Sequence, residues 1–123
     1  MNQPTTEQIR VVAEYDGWTV SPFDENLFIK NDHYGVNAKR IGQFDYYTSL
    51  DQIAPIYRKV MGELEYEEST NHMGSPIYND AVKYRTECER SLSDLDPLAI
   101  FNACYEAIVF IQKHSNEKDN NPA

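Results

Sequence analysis

Three histidines, two cysteines and a crowd of carboxylates are the side chains of this 123-residue chain best suited to chemistry. His33, His72 and His114 lie 39 and 42 residues apart. None has a second His or a Cys at the helical or knuckle spacing by which one element supplies zinc ligands, so the pattern predicts no metal site and no cofactor. A hydrolase would have to gather His33 or His72 with a carboxylate from separate elements. No nucleophile elbow marks a serine, and the five glycines (17, 35, 42, 62 and 74) are too scattered to form a phosphate loop. His114 falls in the last helical turn, where an imidazolium interacts favourably with the helix dipole. Cys88 and Cys104 lack C-x-x-C spacing and read as reduced, buried thiols. No catalytic residue is assigned and a non-enzyme is expected, with a small hydrolase as an alternative.

The carboxylates point to binding instead. Lys and Arg total 11 against 20 Asp and Glu, and the net charge of -9 opposes attraction to a phosphate backbone, so no direct nucleic-acid contact is expected. Residues 1–60 hold eight acidic and six basic side chains, whereas residues 61–123 hold twelve and five. A negative surface built from Glu63, Glu65, Glu67, Glu68, Glu87 and Glu89 suits a basic groove made for nucleic acid. That makes an acidic mimic, inhibiting a host defence or nucleic-acid-handling enzyme, an alternative function. The plainer reading of the same charge is solubility. Aromatic side chains dominate binding patches. Trp18 and Tyr57 read as core, while alternation exposes one of Tyr46 and Tyr47, and that one is a candidate partner contact.

The elements that position these residues are legible in part. Thr5 and Gln8 have capping-box spacing at the start of a helix whose apolar positions Ile9, Val12 and Ala13 share a face, ended by Asp16-Gly17. Trp18–Val20 and Leu27–Ile29 read as a hairpin, with Tyr34–Val36 and Phe44–Tyr47 as further strand pieces. Ser49 and Gln52 repeat the capping spacing. Leu50, Ile53, Tyr57, Val60 and Leu64 then line one helix face, with Pro55 disturbing the first turn. Glu65 to Pro76 reads as a loop. Val82, Tyr84, Thr86 and Cys88 alternate with charged residues as a half-wet strand does, and a helix through Ala81, Tyr84, Cys88 and Leu92 also fits; the strand is preferred. Asp96-Pro97 opens a final helix whose stripe of Leu98, Phe101, Cys104, Tyr105, Ile108 and Ile111 is expected to pack on the sheet. The sum is one α+β domain over residues 1–114, a small mainly antiparallel sheet packed with about three helices, and a polar, disordered tail over 115–123.

Three pieces in this order, Val12–Trp18 (VAEYDGW), Tyr46–Ile56 (YYTSLDQIAPI) followed by Lys59-Val60, and Ala103–Ile111 (ACYEAIVFI), resemble the small phage and prophage proteins of the phage ABA-sandwich family. The resemblance implies an α+β fold and a phage or mobile-element origin, and it carries over no catalytic residue. With it, the leading expectation is an accessory protein-interaction module whose partner is a host or phage protein. No stretch approaches the roughly 20 apolar residues of a membrane helix. The first residues have no basic segment ahead of an apolar run, so a cytoplasmic protein without membrane partners is expected. Exposed sheet edges leave room for a homodimer.

Overall fold

The computed structural model describes residues 3–32 and 35–119. Helix α1 (Thr6–Tyr15) starts where the sequence predicts: Thr5 Oγ1 accepts from Gln8 N at 3.1 Å and Gln8 Oε1 accepts from Thr5 N at 2.9 Å. It stops because Gly17 takes φ 103°, open to a residue without a Cβ, which lets Trp18 N bond back to Ala13 O at 3.0 Å. Strands β1 (Thr19–Val20), β2 (Leu27–Asp32) and β3 (Gly35–Arg40) form an antiparallel sheet in that order, with Thr19 opposite Ile29 and Phe28 opposite Lys39. The expected hairpin is therefore present. His33 and Tyr34 lie outside the described residues.

Two apolar rings tie the sheet to the rest. Phe28 is fully buried, and Phe44 meets both it and Trp18 edge-on at centroid distances of 5.5 and 5.3 Å. Lys39 lies over Trp18 and Phe44 at 5.7 and 5.6 Å, so its stem and charge cover the aromatic cluster from the outer side. Phe44–Tyr47 is not a strand. Phe44 and Tyr46 do bury alternately, as a strand would, but no neighbour pairs with them and the segment turns into the next helix.

Helices α2 (Leu50–Thr70), α3 (Pro76–Ser91) and α4 (Pro97–Asp119) make most of the core. Ile53, Ile56, Val60 and Leu64 of α2 meet Cys88 of α3 and Ile100, Phe101, Cys104, Ala107 and Ile108 of α4. Three sequence expectations are corrected here. Residues 82–88 are helical: Ser75 caps α3 by accepting from Tyr78 N, Pro76 sits at its first turn, and the fully buried positions are Ala81 and Cys88, seven residues apart. Residues 65–70 continue α2 instead of forming a loop, and the helix ends only where Asn71 turns extended and its side chain bonds Glu67 O at 2.7 Å. The helix also begins at Leu50, ahead of Pro55, without a side-chain cap from Ser49.

Helix α4 opens as predicted, with Asp96 Oδ1 accepting from Leu98 N at 3.1 Å. Its main packing partners are α1, α2 and α3, so the broad apolar stripe is covered by helices and not by the sheet. The backbone remains helical to Asp119, past the Ser115 where the polar tail is predicted to begin; residues 120–123 lie outside the described residues. The fold is α+β, with the fourth helix supplied by the segment expected as a strand. No helix among the described residues is long and apolar enough to cross a membrane.

Candidate functional site

Glu67 beside His114 at the close of α2, and Leu50 and Ile53 beside Leu92 and Ile100 at its start, set how the long helices run: α3 antiparallel to α2, and α4 parallel to it. One end of this three-helix layer therefore gathers the close of α2, the start of α3 and the close of α4. The other end gathers the start of α2, the close of α3 and the start of α4.

Four of the six candidate glutamates, Glu63, Glu67, Glu68 and Glu89, are used internally. Glu68 accepts from Arg85 Nε and Nη2 at 2.7 and 3.0 Å, while Glu89 accepts from Nη1 at 2.9 Å. These two carboxylates hold the guanidinium well above its already high ordinary pKa. Glu67 Oε2 lies 3.0 Å from His114 Nε2 and accepts from Asn71 Nδ2 at 3.2 Å. The imidazole is only 6% exposed and stacks on Phe110, which stacks in turn on Tyr84. The sequence assigns His114 to the helix dipole and misses this partner, because Glu67 is 47 positions away in a segment that reads as a loop. Beside the stack lies a cleft of about 400 Å³ whose polar rim includes Asp80, Glu106 and Lys113. His72 is exposed in the connection between α2 and α3 and is not gathered with a carboxylate. Among the described residues no three His, Cys, Asp or Glu side chains are placed to hold a metal ion.

Glu63, midway along α2, accepts from the Tyr15 hydroxyl, and Lys59 Nζ lies 4.2 Å from the centroid of the Tyr15 ring. Burial first, then the Glu63 carboxylate, pushes the Tyr15 phenol up. Tyr46 is matched in the same way: it is 3% exposed, donates to Asp16 Oδ2 at 2.7 Å, and is pushed up by burial and then by that carboxylate. Of the two candidate tyrosines, Tyr46 is thus spent on the interior. Tyr47 keeps part of its surface while meeting Phe101 edge-on at 6.3 Å. Of the six candidate glutamates, only Glu65 and Glu87 make no side-chain hydrogen bond or ion pair among the described residues. The six do not form one open acidic face.

Cys88 and Cys104 are both free and fully buried, facing each other across α3 and α4. The two thiols act on each other, which lowers the Cys88 pKa and raises that of Cys104, and burial raises Cys104 further.

The second end is different in kind. Leu50, Ile53, Ala54 and Tyr57 of α2 face Leu92 and Leu95 across an almost wholly apolar groove of about 220 Å³. Leu50 is 40% exposed and Leu95 63%. Leu95 also has φ 50°, a left-handed conformation that costs a leucine about 1–2 kcal/mol, fixed by its N–H bonding to Leu92 O at 3.1 Å. The sequence shows Leu50 only as a core position, so the open groove has no local signal except a leucine between Asp94 and Asp96. Comparison with protein-family models, with curated proteins and with solved structures gives no match.

Proposed function

We propose that this chain is an accessory protein of phage or mobile-element origin that acts in the cytoplasm by holding another protein, a host or phage product, without catalysing a reaction. The observation that carries this reading is the groove of Leu50, Tyr57, Leu92 and Leu95, an apolar surface left open in a chain that has ample helix to cover it. The groups with chemical potential support the same reading from the other side. Glu63, Glu67, Glu68 and Glu89 are spent on Tyr15, His114 and Arg85, and both thiols are sealed in the core. The phage origin rests on the sequence resemblance.

Mimicry of nucleic acid by the six glutamates is weakened by the same pairings, since a mimic needs its charges turned outward. A hydrolase reading has one arrangement to draw on, the Glu67–His114 pair beside the 400 Å³ cleft. The test is turnover: the full chain, with His114→Ala beside it, is assayed against generic ester, phosphodiester and nucleotide substrates. No activity above background is expected. Turnover that vanishes in His114→Ala would overturn the binding-protein reading.

A further inference from the structure

The hydrogen bonds beside β3 show which of its backbone groups are open. The sheet order is β1, β2, β3, so β2 covers one side of β3 and no described strand pairs with the other. Ile41 N donates to Asn26 O at 2.9 Å, which makes these two a hydrogen-bonded pair at the end of the antiparallel ladder. Such pairs recur at every second residue, so Lys39, Asn37 and Gly35 exchange bonds with Phe28, Lys30 and Asp32 of β2. Arg40, Ala38 and Val36 then turn their N–H and C=O groups to the free side. The Arg40 N–H is already taken there, donating to Gln43 Oε1 at 2.7 Å. The open stretch is therefore Val36 to Ala38.

Charged side chains commonly guard a sheet edge, and the middle of this one has none. Arg40 is held by Asp24 at 3.0 Å, and Lys39 lies over the Trp18 and Phe44 rings. Val36 is 71% exposed, and Ala38 is exposed as well. So short an opening offers little to a long foreign strand, but it complements itself. When two copies of β3 run antiparallel with Asn37 opposite Asn37, Val36 of each faces Ala38 of the other, and both pairs are hydrogen-bonded ones. Every open N–H and C=O at 36 and 38 is then satisfied, and the Gln43 cap stays in place. Lys39 faces Gly35, so no like charges are opposed. The acid excess does not stand in the way. Residues 61–123 hold twelve of the 20 acidic side chains, and the long helices that carry them pack on one another and on α1, whereas β3 packs on β2.

We infer that β3 pairs with the β3 of a second copy of this chain, antiparallel and in register about Asn37, joining the two sheets into one across a two-fold axis. This goes beyond the interaction-module reading and does not depend on it.

The test is sedimentation of the full chain from about 10 µM to 1 mM, the range suited to an interface of small area. A dimer that grows with concentration is expected. Val36→Lys puts two lysines diagonally across the junction, and Ala38→Pro removes an outward N–H without taking a bond from β2. Each should weaken association at least tenfold. Melting curves at the lowest concentration, where the parent is monomeric, separate lost pairing from lost fold. Asn37→Cys reads the register, because directly opposed residues of a non-hydrogen-bonded pair lie about 4.5 Å apart at Cα, within disulfide reach, whereas the two copies of residue 38 are diagonal and beyond it. With glutathione disulfide as oxidant, reduced to glutathione as the two introduced thiols join, Asn37→Cys should give a covalent dimer at least tenfold faster than Ala38→Cys. A monomer at 1 mM, a dimer that survives both Val36→Lys and Ala38→Pro, or equal cross-linking at 37 and 38 would overturn the assignment. Each of these leaves the interaction-module reading standing; only turnover of a substrate removes that.

Discussion

Toward the close of α2 the carboxylates meet partners within the chain: Glu67 lies against His114, and Glu68 holds Arg85, which Glu89 of α3 also meets. At the other end Leu50 and Leu95 stand open beside Tyr57 and Leu92, with no described segment over them. Both ends are built on the same helices, so the difference is not one of scaffold. Buried polar groups are costly unless matched, and matched ones report on stability before anything else. Apolar surface left open costs solvation and gains only when something covers it. Function in this molecule is therefore to be sought where the interior rules are relaxed.

The contrast can be broken first through the layer both ends share. Phe101→Ala, at a fully buried position touching Tyr47 and the α2 side of the core, should cost about 3–5 kcal/mol by urea unfolding. Against a typical total of about 5–15 kcal/mol, that would loosen both ends together. A cost below about 1 kcal/mol would mean the layer is less tightly packed than its burial implies. At the closed end, His114→Ala strips Glu67 of its imidazole and Phe110 of its stacking partner, and should cost about 1–3 kcal/mol. An unchanged denaturation midpoint would show that the pair is kept for chemistry and not for the fold.

A third prediction concerns pH. The Tyr46 phenol titrates above its ordinary value near 10 in the folded chain. Its contribution is complete below pH 10 and drains away above it, because the unfolded chain then gives up a proton that the folded chain retains. Tyr46→Phe should be less stable at neutral pH by about 1 kcal/mol, for want of the bond to Asp16, and should show a shallower alkaline loss. Tyr15 shares the direction and remains as the residual slope. The smallest effect belongs to Glu65→Gln, exposed on α2, which should shift stability by less than about 0.5 kcal/mol in the same unfolding experiment.

Sequence reading was sound where the signal was local. Thr5 with Gln8, Asp16-Gly17 and Asp96-Pro97 each declare a helix boundary within a few residues, and each stands where expected. It failed where two periods fit the same residues. Val82, Tyr84, Thr86 and Cys88 alternate, but Ala81, Tyr84 and Cys88 also share a helix face, and the deciding Ser75-Pro76 start lies inside a stretch that reads as a loop. Phe44 and Tyr46 alternate in truth, yet a strand needs a neighbour, and pairing is a property of the whole chain. The site was less legible than the fold for the same reason. Glutamates at 63, 67 and 68 look alike in the sequence, and only the distant Tyr15, His114 and Arg85 reveal that they are engaged, whereas Glu89 meets Arg85 four residues away on its own helix.

The melting temperature of Leu95→Gly tests the central claim most directly. If Leu95 is held in its left-handed turn for what it touches outside the chain, glycine removes the backbone cost and the midpoint should stay level or rise. A fall of about 4 °C or more would mean that Leu95 serves the fold, and the groove would lose its claim to be the working surface of the protein.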